Sequence, residues 1–207
     1  MIFLHSAFTL IQQHRRAFIV LNLAFYGLFA VMMLVTALTP ELHGVFEPNI
    51  DKAFAEPGLF KMAGDIYASK NLPLAMAITF LVNLGVAVGM TTLPSLLIPF
   101  AGIALTLYRG FLWGVMFSPI GADRATLIPH SLTLLIEGQA YVLAAFAVYL
   151  QGRMWLWPQR YGLGSRWDGY KAGVRATGRR YLLVTLALLI GAVYEALEVI
   201  YLMPLLV

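Results

Sequence analysis

TLIPHSLTLLIEGQAYVLAAFAVYLQ, residues 126–151, is the stretch on which the fold of this chain turns. It is long and apolar enough to cross a bilayer as a helix, which takes about 20 predominantly apolar residues. Yet it carries His130, Glu137 and Gln139, with Pro129 near its start. A carboxylate near the middle of a spanning helix costs about 2.5–3.5 kcal/mol on insertion scales, so Glu137 is expected to face protein or water and to have a partner.

Composition supports the membrane reading. Of 207 residues, 60% are hydrophobic and 12% charged, whereas a soluble domain averages about 45–50% and 25%. The chain therefore reads as an integral membrane protein with no room for a large soluble domain. A net charge of +4 could suit nucleic acid, but most of the excess falls in one segment between spans. Positive-inside topology and anionic lipid account for it there, and no nucleic-acid role is expected. Cysteine is absent, which excludes disulfides, thiolate metal sites and thiol nucleophiles.

Outward from 126–151, apolar runs mark further spans at about 17–38, 73–93, 94–117 and 181–203. The expected fold class is all-α: a polytopic transmembrane helical bundle of about five spans, one membrane domain over 1–207. Ahead of the first span, Phe3, Ala7, Leu10 and Ile11 recur at helical spacing, as in a surface-lying helix. The run after Arg15 and Arg16 is longer than a signal core and reads as a retained span.

Residues 39–72 are hydrophilic and acid-rich. Phe46, Ile50 and Phe54, then Leu59, Met62 and Ile66, suggest two short amphipathic helices separated by Pro57-Gly58; an ordered loop is the alternative. A tight turn is expected at Leu93-Pro94. Gly85/Gly89 and Gly110/Gly114 are small-xxx-small pairs, which let helix backbones approach closely. Residues 152–180 read as a loop holding Arg153, Arg160, Arg166, Lys171, Arg175, Arg179 and Arg180 against Asp168 alone, with Trp155, Trp157 and Trp167 among them. That is the composition of an interfacial segment that meets anionic headgroups or a cytoplasmic partner. The charge bias puts this loop and the N-terminus in the cytoplasm, with 39–72 and the C-terminus outside.

Depth narrows the search for the partner of Glu137. At 1.5 Å rise per residue, Glu137 and Asn83 lie at mid-depth, and Arg109 and Glu195 roughly 6–12 Å below the outer surface. Glu198 and His130 lie nearer that surface. The intramembrane polar cluster is thus Asn83, Arg109, His130, Glu137, Gln139, Glu195 and Glu198. One reading is an Arg109–Glu137 ion pair that locks the helices, with Asn83 and Gln139 completing its hydrogen bonds. Another is a polar cavity open to the outside for a proton, ion or lipid headgroup. A metal site lacks any ligand motif, since one histidine with scattered carboxylates is no HExxH, and neither metal nor cofactor is expected. Catalysis is not expected either: there is no G-x-S-x-G, and Ser131 beside His130 points to a different helix face.

The segments N-L-G-V-A-V-G-M-T-T-L at 83–93, R-G-F-L-W-G at 109–114 and P-H-S-(x)5-E-G-Q-A at 129–140 resemble the stage II sporulation protein M family. The resemblance covers about 73–151, with Arg109 where Asn is usual and Ser131 where Gly is usual. Asn83, Gly110, His130 and Glu137 correspond to the family's polar and glycine positions. It implies a small polytopic protein that works with partners in a membrane complex. The expected function is a non-enzymatic subunit that scaffolds or anchors a cell-envelope or membrane complex in the inner membrane of a prokaryote. Its expected partners are membrane lipids and a cytoplasmic ATPase or envelope protein, and a homo-oligomer is left open. The alternative is a transporter or permease component with an outward-facing polar cavity.

Overall fold

The computed structural model describes residues 9–45, 52, 55–120 and 122–206, and these are all-helical, with no strand. The helix expected over Phe46, Ile50 and Phe54, and the first eight residues of the expected surface helix, lie outside the described residues. Helix α1 is Arg15–Leu38. Helix α2, Leu59–Ala68, is the second of the two amphipathic helices expected in 39–72. Helix α3 begins at Leu72, capped by Asn71, whose side chain accepts the Leu74 N–H at 3.2 Å.

Helix α3 then runs past the expected turn. It continues through a π-helical segment, Ala87–Thr92, into Leu93–Leu97, so Pro94 lies inside it. A proline inside an α-helix removes a hydrogen bond and clashes with the preceding turn. Here the wider π-turn carries the chain through: the Leu93 N–H reaches the Val88 carbonyl five residues back. The Tyr181 hydroxyl donates to the Ala87 carbonyl at 2.8 Å, and the Ser95 hydroxyl to the Thr91 carbonyl at 3.0 Å. The reversal falls instead at Ile98–Phe100, where Phe100 has φ 69°. A left-handed phenylalanine is strained, at a cost on the order of 1–3 kcal/mol. Its ring is held against Gly152 and between Tyr149 and Trp157, with centroids 6.2 and 6.4 Å away.

Helix α4 is Ala101–Met116. Its 16 residues rise roughly 24 Å, short of the ~30 Å hydrocarbon core. Helices α5 (Leu127–Leu156) and α6 (Arg166–Leu197) form the long antiparallel hairpin at the centre of the fold. A π-helical segment, Glu198–Leu202, follows α6. Among the described residues, four helical stretches are long and apolar enough to cross a membrane: Arg15–Leu38, Leu72–Leu97, Arg124–Leu156 and Arg166–Leu205.

Most of the expected loop 152–180 is helix. Helix α5 extends to Leu156, and α6 begins at Arg166 behind Ser165, whose hydroxyl accepts the Asp168 N–H at 3.1 Å. The charges lower the hydropathy without breaking the helix, and two glycines let the arms close. A Cβ at Gly169 would sit 2.1 Å from the Met154 carbonyl oxygen, and one at Gly173 3.0 Å from the Gln151 backbone. At 1.5 Å per residue each arm is roughly 45–48 Å long, so the hairpin projects beyond the hydrocarbon.

Burial sorts the helices. In α5, 67% of the most apolar window is enclosed, against 6% in α1. Helix α5 is therefore the core, and α1 presents Ile19, Val20, Leu23, Val31 and Leu34 outward. Lipid tails give no hydrophobic drive for helix association, so close approach and hydrogen bonds must supply it. Helix α5 accordingly buries Gly138, Ala140, Ala144, Ala145 and Ala147, and α1 closes on α4 at Gly110 and Gly114.

Candidate functional site: an intramembrane polar relay

Glu137 faces inward from the middle of α5, and its side chain is almost fully buried. Gly191 of α6 lies opposite; a Cβ there would be 3.1 Å from the Glu137 Cγ. Asn83 of α3 donates its amide Nδ2 to Glu137 Oε1. The Asn83 carbonyl oxygen accepts the Tyr141 hydroxyl at 2.6 Å, and that hydroxyl accepts Arg109 Nη2 at 3.1 Å. On its other side Glu137 meets the Glu195 carboxyl of α6, which the Tyr67 hydroxyl of α2 also approaches. Tyr67 and Thr79 share a further bond of 2.6 Å. Hydrogen bonds thus join Arg109, Tyr141, Asn83 and Glu137 in a relay, and Glu195 and Tyr67 extend the polar chain so that it touches α2, α3, α4, α5 and α6.

A second group adjoins it. The Glu198 carboxylate, fully buried, lies 2.9 Å from His130 Nδ1 and accepts the Thr133 hydroxyl at 2.5 Å. His130 and Thr133 stand three apart on α5, one turn of the same face, so a single carboxylate can reach both. The His130 ring also packs on Phe117, centroid 4.9 Å away.

The expected Arg109–Glu137 ion pair is replaced by a relay. Tyr141, one helical turn beyond Glu137, interposes its ring, and the guanidinium carbon lies 4.5 Å from that ring's centroid and 4.9 Å from that of Trp113. Two aromatic faces and one hydroxyl take the place of the carboxylate, an arrangement worth up to about 2 kcal/mol when desolvated. Gln139 is half-buried and contributes no hydrogen bond to the relay among the described residues. Tyr141, Tyr67, Thr79 and Thr133 were not expected in the cluster. An aromatic or hydroxyl residue in an apolar run reads as packing, and only its rotation about the helix axis makes it a bonding partner.

Tyr67 lies outside the long apolar helices. Burial, and then the Glu195 carboxylate, push its phenol well above the usual range, so it stays a donor. Tyr67→Phe should therefore release α2 without unfolding the bundle. Its hydroxyl bond to Thr79 is worth roughly 0.6–1.7 kcal/mol, so amide exchange in 59–68 should rise severalfold while that in α5 stays unchanged.

The glycine pairs separate. A Cβ at Gly114 would lie 2.4 Å from the Phe29 carbonyl oxygen, and one at Gly110 3.1 Å from that of Phe25. Gly85 and Gly89 are exposed, and a Cβ at either meets nothing within 4 Å, so these two pack no helix among the described residues. A buried hydroxyl cluster that sequence reasoning missed joins α3, α4, α5 and α6 further along. The Thr91 and Thr106 hydroxyls are 2.9 Å apart, while Gln151 donates to the Ser95 carbonyl at 3.2 Å and accepts the Thr177 hydroxyl at 3.1 Å.

At the hairpin tip, Trp155 meets Tyr170 edge-on at 4.9 Å, and Trp167 stacks on Tyr170 at 5.4 Å. Lys171 lies over Trp167 and Arg160 over Trp157. Arg166, Arg175 and Arg179 are exposed, whereas Arg153 and Arg180 are half-buried. Comparison with protein-family models, with curated proteins and with solved structures finds no match for the chain.

Proposed function

We propose that the chain is a non-enzymatic integral membrane subunit that scaffolds or anchors a cell-envelope or membrane complex, in the inner membrane of a prokaryote. The observation that carries this reading is that the polar side chains clustered around Glu137 engage one another. Hydrogen bonds from Arg109 to Glu137 tie α3, α4 and α5 together, and Glu195 and Tyr67 carry the polar chain on to α6 and α2. Such a relay holds a bundle rigid while its outer faces stay available. In this reading α4 is a fifth crossing, the N-terminus is cytoplasmic and the C-terminus extracytoplasmic, which the concentration of Lys and Arg at the hairpin tip supports. The resemblance of 73–151 to the stage II sporulation protein M family supports a partner-dependent role. The segment around α2 would meet an envelope partner, and the hairpin tip lipid headgroups or a cytoplasmic partner such as an ATPase.

One observation favours the second reading, a transporter or permease component. Two buried carboxyl groups, Glu137 and Glu195, face each other inside the bundle, and neighbouring buried carboxyls are what a proton-coupled path uses. Affinity purification in mild detergent, paired with proton flux in liposomes, separates the two. The scaffold reading expects a stoichiometric protein partner and no flux above empty vesicles. A chain that purifies alone and conducts protons, with Glu137→Gln abolishing the flux, would overturn it.

A further inference from the structure

Where α6 and the end of α5 pass the start of α1, several cationic or polar groups come together, with no acid among the described residues to meet them. Arg180 is half-buried, and its Nε and Nη1 atoms are enclosed without a hydrogen-bond partner among the described residues. The Tyr161 hydroxyl is in the same condition, and it is close enough to Arg180 to interact with it. His14, just ahead of α1, feels both Arg153 and Arg180; burial and then these two cations hold its imidazole below the usual value. Arg153 spends one nitrogen on the Tyr149 hydroxyl at 3.3 Å.

The charge balance is one-sided. Asp168 is the sole acidic residue between Glu137 and Glu195 in the sequence. It is already engaged by the Ser165 hydroxyl at 2.7 Å and by Lys171 at 3.1 Å. Buried donors left unpaired cost roughly 1–3 kcal/mol each, and more when charged, so an arrangement of this kind calls for an acceptor. Arg180 also borders a crevice whose other walls are Leu10, Ile11, Leu143, Phe146 and Leu183, all apolar. A ligand that reaches this guanidinium therefore meets donors at one end and hydrocarbon along its side.

We propose that Arg180, Tyr161, Arg153 and His14 form a binding site for a phosphate anion carried by a membrane lipid, with its acyl chain against the apolar surface beside Leu10 and Leu183. The guanidinium fork matches phosphate geometry, and the phenol supplies a further donor. Arg180 lies roughly 20 Å along α6 from Trp167 at the hairpin tip, where the charged half of the helix passes into its apolar run and a lipid phosphate can reach it. The site stands independently of the proposed scaffold role, since any membrane protein can hold a structural lipid.

The test uses the full chain purified in a non-ionic detergent, with thermal unfolding followed as phosphatidylglycerol, phosphatidylcholine or inorganic phosphate is added. Phosphatidylglycerol should raise the midpoint, and phosphatidylcholine at the same mole fraction should raise it less, because its choline opposes the cations. Arg180→Gln should bind phosphatidylglycerol on the order of tenfold more weakly. Tyr161→Phe, which keeps the packing, should weaken it by a smaller factor, and Arg16→Gln, an exposed cation at the same end, should leave it unchanged. If Arg180→Gln does not fold, Tyr161→Phe and Arg153→Gln carry the comparison. Binding of phosphatidylglycerol should also move the His14 titration upward in NMR, since an anion offsets Arg153 and Arg180. Inorganic phosphate matching the lipid's effect would keep the anion site but overturn its assignment to lipid. Equal stabilisation of the wild type and both site variants would overturn the site itself.

Discussion

Glu137→Met should destabilise the bundle by about 2–4 kcal/mol, while Glu137→Gln should cost about 1 kcal/mol or less. Methionine matches glutamate in length and does not branch against Gly191, so the cavity contribution is small. What is lost is the acceptor for Asn83 Nδ2 and the partner of the Glu195 carboxyl. Average interhelical hydrogen bonds in membranes are worth only about 0.6 kcal/mol, so the bonds themselves are the smaller part. The larger part is two buried polar groups left unpaired. Glutamine keeps an oxygen for Asn83 and supplies N–H donors for Glu195, so most of the relay survives. Unfolding in mixed micelles with increasing anionic detergent measures the difference. Equal losses for Gln and Met would mean that charge, rather than hydrogen bonding, is what Glu137 contributes. Asn83→Leu combined with Glu137→Met should be less damaging than the sum of the two, with a coupling on the order of 1 kcal/mol.

Gly102→Ala and Gly114→Ala should cost about 3 kcal/mol or more, or prevent assembly, whereas Gly85→Ala and Gly89→Ala should be neutral within about 0.5 kcal/mol. A Cβ at Gly102 would fall 1.7 Å from the Thr91 carbonyl oxygen, and one at Gly114 2.4 Å from that of Phe29. Both obstacles are backbone atoms in packed helices, which cannot rotate away as a side chain can. Relief requires α4 to move off α3 or α1, breaking the Thr91–Thr106 bond or opening the Gly110 contact with Phe25. At Gly85 and Gly89 the added methyl meets open space on the outer face of α3, and alanine is the better helix former. Monodisperse yield after detergent extraction and the unfolding midpoint read both pairs. Damage at Gly85 or Gly89 comparable to that at Gly114 would show that a second chain packs on this face.

Much of the candidate site was legible from a few residues. Glu137 stood out because a carboxylate in a spanning run needs a partner, and Asn83, Glu195 and Glu198 because depth counting puts them within reach. The partner of Arg109 was not legible. Tyr141 lies in an apolar run, and its hydroxyl matters only because α5 turns that face toward α4. The break expected at Pro94 and the loop expected at 152–180 have a common cause. Proline and charge are local signals against a spanning helix, and tertiary contacts outweigh them: Tyr181 takes up the Ala87 carbonyl beside the π-segment, and Gly169 and Gly173 let α6 continue against α5.

The sequence by itself determined that the chain is helical, that long apolar runs dominate it, and that the run 126–151 carries a carboxylate, Glu137, in need of a partner. Those properties depend on hydropathy and periodicity, which are local to each segment. Only the tertiary structure decided that Arg109 reaches Glu137 through Tyr141 and Asn83, that Gly114 packs while Gly89 faces outward, and that Arg180 is buried without a partner. Each of these depends on how one helix is rotated about its axis against another and on how closely two backbones approach. A one-dimensional pattern contains neither quantity.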